Sequence, residues 1–302
     1  MTLIAVVLIT VSAILHAGWN TISKSAHPTS AFFFIALVIG AFLFSPILII
    51  NFREILIFPA QVWLLLAMTG LCEAIYFVSL SAAYRSGDMS IAYPLARSAP
   101  VIIVTFVSFL LGQGGQISNQ CIAGIILIFG GSIVLPMHHF TDFRLKNYFN
   151  LTCFFALCTA LSTAGYSMID FRALRLLRET PEIGLGAVGI GISYVSIEFS
   201  IAVLWLALFT ITHKSGRNDL RQVFQTSLRP AVLTGVSFLV PYSLVLISMA
   251  HVSNVSYVVA FRQLSIPLGV IFGVIFLKEP RFYPKFMGTL IIFIGLVFVA
   301  IG

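Results

Sequence analysis

The sequence carries little charge for its length. Only 9% of its 302 residues are Asp, Glu, Lys or Arg, whereas 59% are hydrophobic. An ordinary soluble domain is roughly 25% charged, so this chain lacks the polar side chains needed to cover a surface in water. The net charge of +7 does not indicate a nucleic-acid partner, because the basic residues lie mostly in short breaks between apolar runs.

Cysteines and catalytic motifs are also scarce. The four cysteines all fall inside apolar segments, without CxxC spacing or a nearby His, at Cys72, Cys121, Cys153 and Cys158. They favour small buried side chains over a disulfide framework or a metal site. No Walker loop, nucleophile elbow or HExxH motif occurs. We therefore expect no metal, no cofactor and no enzyme activity; an intramembrane lipid-modifying enzyme is the alternative of another class.

Apolar runs of membrane-spanning length fill the chain instead. A run of about 20 residues crosses ~30 Å of hydrocarbon as a helix, and lipid leaves a spanning backbone no other partner. The first run lacks the positive start of a secretory signal, so we expect it to be a spanning helix. Ten helices are predicted: Leu3–Ser23, Ser30–Ile50, Gln61–Tyr84, Met89–Leu111, Asn119–Met137, Phe149–Ile169, Ala187–Thr212, Ala231–Ala250, Asn254–Leu277 and Lys285–Ile301.

Short matches in the same order along the chain indicate two related halves. The matched pairs are Ala17-Gly18-Trp19-Asn20 with Ala164-Gly165-Tyr166-Ser167, Thr69-Gly70 with Thr234-Gly235, Tyr76 with Tyr242, Arg97 with Arg262, and Gly124 and Gly131 with Gly288 and Gly295. A unit of five helices repeated in tandem enters the membrane from opposite sides. The sequence therefore predicts an all-α membrane protein of two inverted five-helix repeats, residues 1–144 and 145–302, forming one integral domain.

Three stretches carry a family resemblance: Leu15–Asn20, Ala92–Pro100, and Tyr257–Gln263 leading to Leu277-Lys278-Glu279. On these the chain resembles the EamA-type ten-helix members of the drug/metabolite transporter superfamily over essentially its whole length. The family's Gly-Glu pair is only partly kept, as Gly112-Gln113 and Lys278-Glu279. The resemblance implies a multi-pass transporter of the bacterial cytoplasmic membrane with cytoplasmic termini. Loop charges instead place both termini outside, so the orientation stays open.

Four ionisable residues lie deep in predicted spanning helices, where burial is costly enough to make each a functional candidate. Arg97 and Arg262 each lie ~12 Å from their own side of a ~30 Å core, which leaves ~6 Å of height between them. Two guanidinium groups at that spacing suit a carboxylate or a phosphate. The alternative is that each arginine pairs with a buried Glu and only holds helices together.

Glu73 and Glu198 lie near the centres of the third and seventh predicted helices. Each suits a proton-coupling site, a receptor for an ammonium group or a structural partner, and the sequence leaves these alternatives open. Aromatic residues at matched places could box an amine in a cavity or simply pack. These are Trp19 with Tyr166, Tyr76 with Tyr242, and Tyr93 with Tyr257.

Together these features predict a secondary active transporter that works by alternating access. Opposed charge types favour an anionic or zwitterionic metabolite, such as an amino acid or a phosphonate, moved by proton coupling or by exchange. The rival substrate class is choline-like or drug-like cations. The expected partners are a small-molecule substrate and the lipid bilayer, with no nucleic acid. The predicted substrate-binding residues are Arg97, Arg262, Glu73, Glu198, Trp19, Asn20, Tyr76, Tyr93, Tyr166, Tyr242 and Tyr257.

Overall fold

A computed structural model of the protein describes residues 1–24, 29–86, 89–134, 137, 139–142, 150–276 and 282–302. Side chains are not described for residues 19–24, 84, 89–95, 142, 273 and 276. The boundary between residues 144 and 145 and the segment Leu277-Lys278-Glu279 therefore lie outside the described residues. Within the described ranges all regular secondary structure is helical.

Helices occupy all ten predicted apolar runs. The first half contains α1 (Leu3–Lys24), α2 (Ser30–Ile50), α3 (Phe52–Leu56), α4 (Ala60–Ser86), α5 (Met89–Leu110) and α6 (Asn119–Val134). The second contains α7 (Leu151–Glu179), α8 (Ala187–Thr212), α9 (Lys214–Gln222), α10 (Leu228–Ser248), α11 (Val255–Phe261), α12 (Ser265–Phe276) and α13 (Tyr283–Ile301). In the described residues seven helical stretches are long and apolar enough to cross a membrane, and three shorter apolar helices accompany them.

Side-chain caps fix where several helices begin. The Thr29 hydroxyl accepts a hydrogen bond from the Phe32 amide at the start of α2, and Asn150 accepts one from the Cys153 amide at the start of α7. Each cap satisfies an amide that the first helical turn leaves without a partner. Large apolar side chains such as Phe42 cover the outside of the bundle, which suits a surface solvated by lipid chains.

Two predicted helices differ in extent from those in the structure. The predicted helix Phe149–Ile169 continues ten residues further as α7, to Glu179. The predicted helix Asn254–Leu277 is interrupted by a 3-10 turn at Arg262–Leu264 between α11 and α12. Pro267 follows this turn and has no N–H to donate to the Gln263 carbonyl, which accounts for the break in the α-helical ladder.

Contacts between the halves come in matched sets. α4 packs on α7 and α1 on α10, while α4 packs on α8 and α10 on α2. Glycines permit the close approaches: a Cβ on Gly70 of α4 would lie 3.1 Å from the Ala202 amide of α8, and a Cβ on Gly235 of α10 would lie 2.4 Å from the Ala36 carbonyl of α2. Glycines thus stand at two helix contacts that the predicted repeat would relate to each other.

Candidate functional site

Three carboxyl side chains converge in the interior of the bundle. Glu73 of α4 is 5% exposed, and Asp170 of α7 and Glu198 of α8 are both 0% exposed. Asp170 and Glu198 share hydrogen-bond partners, and Glu73 lies within electrostatic range of both. Buried carboxyl groups require compensating donors or protons, so their hydrogen-bond partners decide what this cluster can do.

Asp170 is the carboxyl group of the three with the shortest hydrogen bonds and the most donors among the described residues. Its Oδ1 accepts hydrogen bonds from the Thr69 hydroxyl at 2.6 Å and from the Tyr194 hydroxyl at 3.0 Å, and its Oδ2 accepts one from the Tyr242 hydroxyl at 2.7 Å. The three donors come from α4, α8 and α10. Asp170 therefore ties three helices to α7 through a single carboxylate.

Glu198 lies beside two of the same hydroxyl groups at longer distances. Its Oε1 is 3.2 Å from the Thr69 hydroxyl oxygen and 3.1 Å from the Tyr242 hydroxyl oxygen. Its Oε2 is buried and has no hydrogen-bond partner among the described residues. Oε2 of Glu73 is also buried without a hydrogen-bond partner among the described residues.

Arg262 supplies positive charge next to this cluster. It lies on the 3-10 turn between α11 and α12 and is 9% exposed. Its Cζ lies 5.9 Å from the centre of the Tyr242 ring, and its guanidinium hydrogen-bonds the Tyr166 side chain. Stacking on an aromatic face stabilises a buried guanidinium. Its Nη1 is buried and has no partner among the described residues.

Arg97 of α5 is joined to Arg262 by a hydroxyl group. Its Nη2 donates to the Ser265 hydroxyl, and that hydroxyl donates to the Arg262 backbone carbonyl at 3.0 Å. The Nε of Arg97 has no partner among the described atoms. His16 of α1 lies within electrostatic range of both guanidinium groups. Ser265 thus connects the Arg97 side chain to the backbone of the turn that carries Arg262, and His16 lies near both side chains.

Aromatic rings connect the basic and acidic groups. The Tyr166 ring meets Tyr76 edge to face at 6.1 Å between ring centres and Tyr242 edge to face at 5.9 Å. Tyr242 also stacks on Phe199 of α8, with centres 5.8 Å apart. Rings at these spacings contribute packing energy beyond simple burial, and Tyr242 lies between the carboxyl groups and Arg262.

Comparisons with known proteins find a similarity in the first part of the chain. Residues 3–137 match the EamA-like transporter family. A protein of known crystal structure shares the fold, with a TM-score of 0.71 and 17% sequence identity over 98% of this chain and 96% of its own. No curated protein matches the chain. The family match and the apolar helices support a multi-pass integral membrane transporter.

The structure gathers most of the residues that the sequence predicts for the substrate site. Seven of them lie in one connected cluster: Arg97, Arg262, Glu73, Glu198, Tyr76, Tyr166 and Tyr242. The side chains of Trp19, Asn20 and Tyr93 lie outside the described residues.

Tyr257 lies elsewhere in the fold. Its hydroxyl accepts a hydrogen bond from the Ser118 amide at 3.2 Å and donates to the Gly302 carbonyl at 3.3 Å. These partners lie at the beginning of α6 and the end of α13. In this structure the Tyr257 hydroxyl joins the beginning of α6 to the end of α13. A substrate contact for Tyr257 stays a prediction.

Three residues of the cluster escaped sequence reasoning: Asp170, Thr69 and Tyr194. Asp170 falls one residue beyond the predicted end of its helix, and was therefore placed outside the apolar run. The signal that would have found it is the apolar pattern that continues at Ala173, Leu174 and Leu177, all fully buried. That pattern keeps α7 helical and buried past Asp170.

No metal site accompanies these acids in the described part of the chain. Among the described residues no three His, Cys, Asp or Glu side chains are placed to hold an ion. Hydroxyl groups, and not ligand atoms, separate Asp170 from Glu198.

Proposed function

We propose that the protein is a secondary transporter of a small metabolite that carries an anionic group, with a zwitterion such as an amino acid as the best fit. The observation that carries this proposal is the pairing of Arg97 and Arg262 through Ser265, with Nε of one and Nη1 of the other buried and unpartnered. Buried N–H groups without acceptors are costly. A carboxylate or phosphonate would satisfy them.

The acidic neighbours favour a substrate with a second, positive group. Oε2 of Glu73 is buried without a hydrogen-bond partner among the described residues, and Glu73 lies within electrostatic range of Arg262. An ammonium group on the substrate would satisfy that oxygen while the acid end meets the arginines. A phosphonate lacking an amine would leave Glu73 uncompensated, so we rank it below the zwitterion.

Alternating access by two inverted five-helix repeats, residues 1–144 and 145–302, is part of the proposal. Its support is the matched pairing of helix contacts, α4 on α7 with α1 on α10, and α4 on α8 with α10 on α2. In such folds the substrate binds where the repeats meet and the halves rock about it. Arg97 and Arg262 come from corresponding places in the two halves, as that arrangement requires. The resemblance extends the proposal to the bacterial cytoplasmic membrane.

A cation transporter is the second candidate. Three carboxyl groups are buried in the cluster, and Tyr76, Tyr166 and Tyr242 form a connected aromatic wall. Aromatic faces bind quaternary ammonium groups well. Choline uptake that Arg262 does not influence would favour this candidate.

The test uses purified protein in liposomes and three radiolabelled probes: L-serine, methylphosphonate and choline. We expect serine uptake in the parent and at least a tenfold loss in Arg262→Gln and Arg97→Gln. Arg175→Gln is the control, because Arg175 is exposed and pairs only with Glu179, at 2.8 Å, at the end of α7. Serine uptake at the parental rate by both folded Gln variants would overturn the anion assignment.

A further inference from the structure

Two hydroxyl groups each stand between the same two carboxyl groups. Thr69 lies 2.6 Å from Oδ1 of Asp170 and 3.2 Å from Oε1 of Glu198. Tyr242 lies 2.7 Å from Oδ2 of Asp170 and 3.1 Å from the same Oε1 of Glu198. In both cases the shorter contact is with Asp170.

The number of hydroxyl protons decides which of these four contacts can be hydrogen bonds. A hydroxyl group has one proton, so Thr69 and Tyr242 can each donate to only one of the two carboxyl groups. The shorter distances assign both protons to Asp170. Oε1 of Glu198 then faces two oxygen atoms that have no proton left to give. Only a proton on Glu198 itself converts one of these contacts into a hydrogen bond.

Asp170 and Glu198 have no cation in direct contact, among the described residues, that would stabilise two charged carboxylates. In the described part of the chain no Lys or Arg nitrogen forms an ion pair with Asp170 or Glu198. α2, which packs on α8, contains no titratable side chain. The titratable and charged groups that face the pair are Glu73 and Cys72 from α4, Tyr166 from α7, Tyr194 from α8, Tyr242 from α10 and Arg262 from the 3-10 turn.

We infer that Asp170 and Glu198 hold one shared proton and form the proton-coupling site of the transporter. Asp170 is the charged member, with three hydroxyl donors, and Glu198 is the member that carries the proton. Glu73 is a separate group, because none of the bridging hydroxyls contacts it in the described structure. The coupling part of this inference rests on the proposed function; the shared proton does not.

Tyr242 connects this pair to the substrate arginine. Its hydroxyl bridges the two carboxyl groups, and the centre of its ring lies 5.9 Å from Cζ of Arg262. An acid bound at Arg262 attracts the guanidinium away from the ring and frees Tyr242 to turn. Its hydroxyl then leaves Asp170, and because a carboxylate that loses a hydrogen-bond donor binds a proton more tightly, the pair keeps its proton while the substrate is bound. Substrate binding and proton binding are coupled through one side chain.

Infrared spectroscopy of the purified protein tests the shared proton without any substrate. At neutral pH we expect a C=O band of protonated carboxyl groups, a component of which disappears in Glu198→Gln. Tyr242→Phe should shift that component, because the carboxyl group loses one hydroxyl neighbour. Tyr283→Phe is the matched control, since Tyr283 is exposed at the beginning of α13; it should leave the component in place. A parent without the band, or a Glu198→Gln protein with the full band, overturns the inference.

Proteoliposomes with an imposed pH gradient test the coupling. We expect the gradient to drive L-serine accumulation in the parent and to have no influence on serine movement in Glu198→Gln. Serine transport by the parent that ignores the gradient overturns the coupling. If the parent moves none of the probes but the infrared component behaves as expected, the proposed function fails and the shared proton stands.

Discussion

Gly124 of α6 and Gly295 of α13 meet with their backbones in reciprocal contact. A Cβ on Gly124 would lie 2.5 Å from the Gly295 carbonyl oxygen, and a Cβ on Gly295 would lie 2.6 Å from the Gly124 carbonyl oxygen. Gly131 and Gly288 form the next contact along the same helices, where a Cβ on Gly131 would lie 2.7 Å from the Gly288 oxygen. The glycines that match between the halves therefore close a single helix interface.

Replacing Gly124 tests this interface. Gly124→Ala forces α6 and α13 apart and should destabilise the protein by about 1–3 kcal/mol, as overpacking generally does. Unfolding followed by circular dichroism in detergent measures the effect. The control is Gly130→Ala on the same helix, where a Cβ meets no atom within 4 Å. Equal stability of both variants would contradict the close contact.

Thr69 and its repeat counterpart Thr234 should respond differently to the same substitution. Thr69→Val removes a hydroxyl that lies between two carboxyl groups, at a cost of about 1–3 kcal/mol. The buried hydroxyl of Thr234 has no partner among the described residues, so Thr234→Val should be neutral or stabilising. Thr69→Ser should retain the parental stability. A loss of stability in Thr234→Val equal to that in Thr69→Val would argue against the hydroxyl bridge.

The Ser265 hydroxyl is expected to position the arginine pair. Ser265→Ala removes the acceptor of the Arg97 hydrogen bond, and a hydrogen bond to a charged group contributes about 1.5–3 kcal/mol. We expect the KM for L-serine to rise about tenfold or more, with the protein still inserted and folded. Ser45→Ala is the control, because among the described residues the Ser45 hydroxyl bonds only the Phe42 carbonyl of its own helix. An unchanged KM in Ser265→Ala would show that Arg97 is held by other contacts.

Replacing Arg262 by lysine separates the contribution of its charge to substrate binding from that of its planar geometry. Arg262→Lys keeps the positive charge but loses the planar fork that binds a carboxylate through two hydrogen bonds and stacks on Tyr242. We expect serine binding to weaken about tenfold, corresponding to ~1.4 kcal/mol. Isothermal titration with L-serine measures the change. Full affinity in Arg262→Lys would mean that only the charge matters.

Much of the architecture follows from the sequence because lipid imposes a simple rule on the backbone. Apolar length places the ten runs, and all ten lie on helices in the structure. Ordered matches between the halves identify the glycines that later meet at the contact between α6 and α13. Depth along two helices also predicts that Arg97 and Arg262 come close in height, although it cannot show that Ser265 links them.

The partners of the buried acids were decided by tertiary structure alone. Asp170 lies at the edge of an apolar run, and only the packing of α4, α8 and α10 around α7 makes it the most hydrogen-bonded acid of the cluster. Tyr257 matches Tyr93 in the sequence, yet its hydroxyl is hydrogen-bonded to Ser118 and Gly302 near helix ends. Sequence determines which residues are apolar enough to leave water. Which polar groups then meet depends on distances between helices far apart in the chain, and a proton shared by Asp170 and Glu198 exists only because two hydroxyl groups are placed between them.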